Sequence, residues 1–218
     1  KIAEFASGGG VVIADYLLAD KKPGGLCYMK MPQDFEKMFG IEKEDILFFE
    51  HPSQLSENDL GIKLKTCIEE LIVTDAEVLR TYRDMPIVTK KAYGKGEAVY
   101  IASQLFYTYA TDLTVEIRSF FKDLLASFGI SPAISVEEAD KATASKLITS
   151  HLCDKETKNP SVVTLSNTDF GEIKDKVTLP FKVKSSLGGE ILSEKELPDG
   201  KYEITFRLGD FESIAFYK

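Results

Sequence analysis

The chain is 218 residues long, 44% hydrophobic and 28% charged, enough apolar content for one large core or two modest ones without disulfide or metal staples. Its formal net charge of −8 argues against nucleic acid as a partner, because phosphate neutralisation needs a clustered excess of Lys and Arg. No apolar run reaches the roughly 18 residues that span a bilayer, so no membrane partner is expected either.

The chain begins at Lys1, not Met, and no signal-peptide pattern opens it, so its compartment stays open. Ile2, Phe5 and Ala6 follow the i, i+3, i+4 spacing of one helix face, and Gly8-Gly9-Gly10 sits where a left-handed C-cap belongs. No Ser, Asp or Asn caps the start, so further sequence is expected upstream. Val11 to Leu18 is a continuous apolar run, which predicts a strand buried on both faces of an α/β sheet. Pro23-Gly24-Gly25 marks a loop, and Pro32 to Gly40 predicts a short helix with Pro at its start and Gly at its end.

Short strands are then predicted over residues 46–50, 68–73, 78–82, 87–93 and 97–103. Tyr93-Gly94-Lys95-Gly96 places Gly94 at the first central position of a type II′ hairpin turn. Residues 111–128 predict one amphipathic helix, with apolar positions at 113, 117, 120, 121, 124, 125 and 128 and Gly129 as its stop. Ser131-Pro132 and the polar stretch 137–145 mark a boundary, dividing the chain into residues 1–132 and 133–218. Beyond it, strands are predicted over 147–153, 161–166, 177–183, 190–193, 202–208 and 213–217, the spacing of a β-sandwich.

No constellation of catalytic residues assembles from these segments. Gly8-Gly9-Gly10 lies between helix and strand, whereas a phosphate cradle runs strand, glycine loop, helix. His51 and His151 fall in different predicted domains, which leaves no room for a triad, and His151 with Cys153 supplies too few ligands for zinc. Cys27, Cys67 and Cys153 have no C-x-x-C spacing and are expected to be buried small hydrophobes. Glu69 and Glu70 are adjacent in a strand and point to opposite faces, and Glu137-Glu138 reads as a solvated run. No catalytic residue, metal ligand or cofactor site is therefore assigned. Tyr93, Phe106, Tyr107 and Tyr109, with Tyr82, are candidate interface or sugar-contact residues, since a ring with a polar tip suits both, although core and rim packing is the favoured reading of such rings.

Residues 5–14 (helix, Gly-Gly turn, strand), the hairpin over residues 86–102 and the helix ending at Ile130 together resemble the trimerisation domain of bacterial β-galactosidases of glycoside hydrolase family 42. Residues 162–167 and 211–217 are similar to that family's small C-terminal β domain. The resemblance implies a flavodoxin-like, class I amidotransferase-like α/β domain, lacking its first strands and without amidotransferase activity, followed by an all-β sandwich. It also implies a homo-oligomer, specifically a trimer, and a catalytic barrel upstream that carries both catalytic glutamates. The Lys21–Asp59 stretch departs from the family pattern. The leading expectation is a non-catalytic assembly region of a glycoside hydrolase, ahead of a carbohydrate-binding module using Tyr107 and Tyr109, and ahead of a stand-alone hydrolase using Cys67 or His51.

Overall fold

The computed structural model describes residues 1–19, 30–50, 61, 64, 67–112, 114–132, 134–137 and 147–218. The expected loop at 22–25, Cys27, His51 and most of the polar stretch after Glu137 lie outside the described residues. The chain divides into two compact units, Lys1–Gly129 and Ile130–Lys218, each with its own core. The first combines strands with helices, and all the described elements of the second are strands.

In the first unit, α1 (Ile2–Ser7) ends in a Schellman motif. The Gly10 N–H donates to Phe5 O at 2.9 Å and the Gly9 N–H to Ala6 O at 3.1 Å. The residue that carries the positive φ is Gly9 (+114°), whereas Gly8 stays right-handed. β1 (Val11–Asp15) follows, and it is shorter than the apolar run implied. Only Ala14 is buried in it, because β1 forms one edge of the sheet and so has neighbours on one side only. α2 (Gln33–Phe39) starts at Pro32 and stops at Gly40, whose φ of +66° is the left-handed cap the sequence offers.

β2 (Ile41–Phe48) pairs antiparallel with β3 (Cys67–Val73), starting earlier than the strand expected from residue 46. β4 (Glu77–Tyr82), β5 (Met85–Tyr93) and β6 (Gly96–Ile101) complete the larger sheet in the order β1-β6-β5-β4. Only β1 and β6 run parallel within it, from Val11 opposite Glu97 to Asp15 opposite Ile101. The β5–β6 turn has the φ pattern of type II′, with Gly94 at +62° and Lys95 outside the positive region. The β4–β5 turn places Arg83 (+46°) and Asp84 (+70°) both in the left-handed region, the type I′ pattern without a glycine to announce it.

The helix expected over 111–128 is two helices, α3 (Leu105–Asp112) and α4 (Val115–Ser127). Thr114 separates them. Its backbone is extended, and its hydroxyl accepts from the Ile117 N–H at 3.5 Å as an N-cap. Ile117 and Leu124 of α4 are buried in the core, with Phe120, Phe121 and Phe128 packed against it.

The second unit contains β7 (Ser135–Glu137), β8 (Leu147–Cys153), β9 (Pro160–Asn167), β10 (Ile173–Leu179), β11 (Ser185–Leu187), β12 (Glu190–Glu196), β13 (Tyr202–Leu208) and β14 (Ser213–Tyr217). They form two sheets, β12-β13-β10-β7 and β11-β14-β9-β8. Ile173, Val177, Ile204 and Phe206 from one sheet share a buried cluster with Val163, Leu165, Ile214 and Phe216 from the other. Burying each such side chain contributes about 1.5–3 kcal/mol. The strand expected over 177–183 instead starts at Ile173, where a Lys-Asp-Lys run masks the alternation that buries Ile173, Asp175, Val177 and Leu179. Cys153 is exposed, contrary to the expectation of burial, because β8 is an edge strand whose residues are nearly all exposed. Cys67 is buried as expected. No described helix is long and apolar enough to cross a membrane.

Candidate functional site

β1 and β6 run parallel, and their carboxyl ends open onto a shallow cleft of about 610 Å³. Asp15, Tyr16 and Leu17 form one wall, and Gln104, Phe106 and Tyr107 at the start of α3 form the other. Asp15 joins the two walls, because its Oδ2 accepts from the Phe106 N–H at 2.9 Å. Burial pushes the Asp15 carboxyl above its ordinary value, the Phe106 and Asp15 amides oppose that rise, and the negative charge of Glu69 adds to it.

Beneath the cleft, Glu69 of β3 is fully buried and shared by three elements. Its Oε2 accepts from the Tyr100 hydroxyl of β6 at 2.5 Å. Its Oε1 accepts from the Leu17 N–H at 3.3 Å and lies 3.3 Å from Lys43 Nζ of β2, itself nearly buried. A buried carboxylate without such partners would be strongly disfavoured, so this set is what lets Glu69 stay inside. Desolvation, together with the Glu69 charge and hydrogen bond, raises the Tyr100 hydroxyl far above the usual phenol range. The Glu69 bond also pins a strained turn, since Leu17 (φ +61°) and Ala19 (φ +53°) both occupy the left-handed region.

Of the four aromatic candidates, Phe106, Tyr107 and Tyr109 come together on α3. Phe106 stacks on Phe121 at 5.3 Å, and Tyr109 meets the same ring edge-on at 5.5 Å. Tyr93 lies at the opposite end of the sheet, opposite Gly96, and the adjoining Gly94 sits against Ser7 at the end of α1. At ~3.3 Å per residue the five steps from Gly96 to Ile101 separate the two ends by roughly 16 Å. Tyr82 is buried in the core, against Phe49. Glu69 is buried and Glu70 half-buried on β3, so these two carboxylates do not face each other across a cleft. His151 is exposed on β8. Among the described residues no cluster of three or more His, Cys, Asp or Glu could hold a metal ion.

Asp15, Lys43 and Tyr100 went unnoticed in the sequence. Their only signal is an Asp ending an apolar strand and a Glu at an otherwise apolar position in Cys-Ile-Glu-Glu-Leu-Ile-Val.

Residues 1–124 match the family model described as the β-galactosidase trimerisation domain. No curated protein sequence matches the chain. Among solved structures, the chain is similar over its whole length to Gan42B, a GH42 β-galactosidase from G. stearothermophilus, with a TM-score of 0.63 at 21% identity. It is likewise similar to the cold-adapted β-galactosidase from Rahnella sp. R3 (TM-score 0.65, 20% identity). A third likeness is to the polyextremophilic β-galactosidase of the Antarctic haloarchaeon Halorubrum lacusprofundi (TM-score 0.61, 16% identity). The chain covers 29%, 30% and 28% of those three chains respectively, and at these identities the likeness carries the fold alone.

Proposed function

The chain belongs to the β-galactosidase trimerisation domain family, and from that premise we propose that it is the non-catalytic, subunit-joining region of a longer glycoside hydrolase. The observation that carries the reading is the family match over residues 1–124, a stretch in which no nucleophile, base and orienting group assemble among the described residues. The reading assigns the first domain, residues 1–132, an amidotransferase-like α/β ancestry and residues 133–218 the role of a sandwich appendage. It places the reaction, with no cofactor held here, on an upstream barrel in the parent chain.

The subunit contact, in this reading, uses the α1 and hairpin end of the first unit. Ile2 and Phe5 of α1 are exposed there, at 47% and 61% accessibility, so apolar area is available to be removed from water by a second copy. The Phe5 ring covers Gly10, where a Cβ would fall 2.3 Å from it, so its position is set by close backbone approach. Sedimentation velocity of the wild type and of Phe5→Asp tests the assignment: the variant is expected to lose mass, and an unchanged assembly would remove this end from the interface.

A further inference from the structure

We propose that the cleft between the end of β1 and the start of α3 binds a neutral polyhydroxylated ligand, of the pyranose type. The inference goes beyond subunit joining and rests on the cleft's own geometry. In open sheets the carboxyl ends of parallel strands are where ligands are received, because the strands stop there and the chain splays apart. Here that end is occupied by Asp15 on β1, with Ile101 opposite it on β6.

The polar groups match hydroxyls. A carboxylate offers about four acceptor positions, of which the Phe106 and Asp15 amides engage Asp15. Among the described residues no further partner takes the remaining lone pairs, which leaves them for two adjacent O–H donors. The Gln104 amide, also in the lining, both donates and accepts, a pairing that a hydroxyl satisfies and a simple cation does not. An anion is disfavoured, since Asp15 and Glu69 are both carboxylates and Lys43 is already paired with Glu69.

The apolar groups match the C–H face of a ring. Phe106 is backed by Phe121, which fixes its plane while the ring stays 41% exposed, and Tyr107 is 58% exposed beside it. Leu17, in the left-handed region on the opposite wall, is held there by the buried Glu69. Backbone strain persists where the surroundings over-determine it, and such strain gathers at ligand clamps.

Saturation-transfer NMR on the 218-residue chain, with methyl glucopyranoside and methyl galactopyranoside as probes, tests the proposal independently of oligomeric mass. Expected are transfer to the ring C–H protons and a dissociation constant in the millimolar range, weakened about tenfold or more by Tyr107→Ala and by Asp15→Ala. Tyr107 is exposed, so its variant keeps the fold, as an unchanged amide spectrum would record. Absence of transfer at tens of millimolar probe, undiminished binding by Tyr107→Ala, or a preference for tetramethylammonium over both pyranosides would overturn the assignment.

Discussion

The Tyr100 hydroxyl donates to Glu69 at 2.5 Å inside the core of the first unit, joining β6 to β3 through a fully buried carboxylate. Removing that donor by Tyr100→Phe leaves the fully buried Glu69 with one partner fewer. The loss is expected to be about 1–3 kcal/mol, read as a lowered midpoint in urea denaturation.

The same pair sets a pH dependence. The Tyr100 hydroxyl ionises well above its ordinary value of 10.0 in the folded chain, so between the two values the folded state holds a proton that the unfolded state has released. Stability from this group is therefore complete below about pH 10 and falls as pH rises beyond it. A series of thermal melts from neutral to alkaline pH should show that fall, and Tyr100→Phe should flatten it.

Gly96 opens β6 with no space for a side chain: a Cβ there would lie 2.1 Å from Gly10 O and 2.4 Å from Ala6 O. Both are backbone atoms and cannot rotate away. Gly96→Ala is expected to destabilise the first unit by about 1–3 kcal/mol, measurable by denaturation, because it forces α1 away from the hairpin.

In the second unit, Asn167 is nearly buried and ties two loops together, the β9–β10 and β13–β14 connections. Its Nδ2 donates to Gly171 O and Gly209 O at 2.8 Å each, and its Oδ1 accepts from the Asp169 N–H at 3.1 Å. Asn167→Ala strands those groups, at roughly 1–3 kcal/mol for each one left buried without a partner. Amide exchange at Asp169 should speed up in the variant while exchange in the first unit is unchanged.

Local pattern made parts of this fold legible. The glycine ends of α1 and α2, the Gly94 turn and the alternation of Tyr202 to Leu208 each rest on short-range chemistry, and each was readable from residue type. The break at Thr114 was not, because an apolar stripe continues across it and only the cap geometry separates α3 from α4. Phe106 to Tyr109 was not read as helix either, since aromatic and Thr residues favour strands by propensity and the tertiary fold overrides that preference.

The candidate site was legible only as aromatics. Asp15, Lys43, Glu69 and Tyr100 come from four strands and meet only when β2–β3 and the larger sheet are both in place, which no local spacing records. Likewise Tyr93 and Tyr107 looked alike as exposed-type rings, yet sheet register sends them to opposite ends.

A chain that joins subunits carries that property in its mass in solution. Size-exclusion chromatography with light scattering should return three times the mass of the single chain. A strictly monomeric mass across the accessible concentration range would exclude a subunit-joining role.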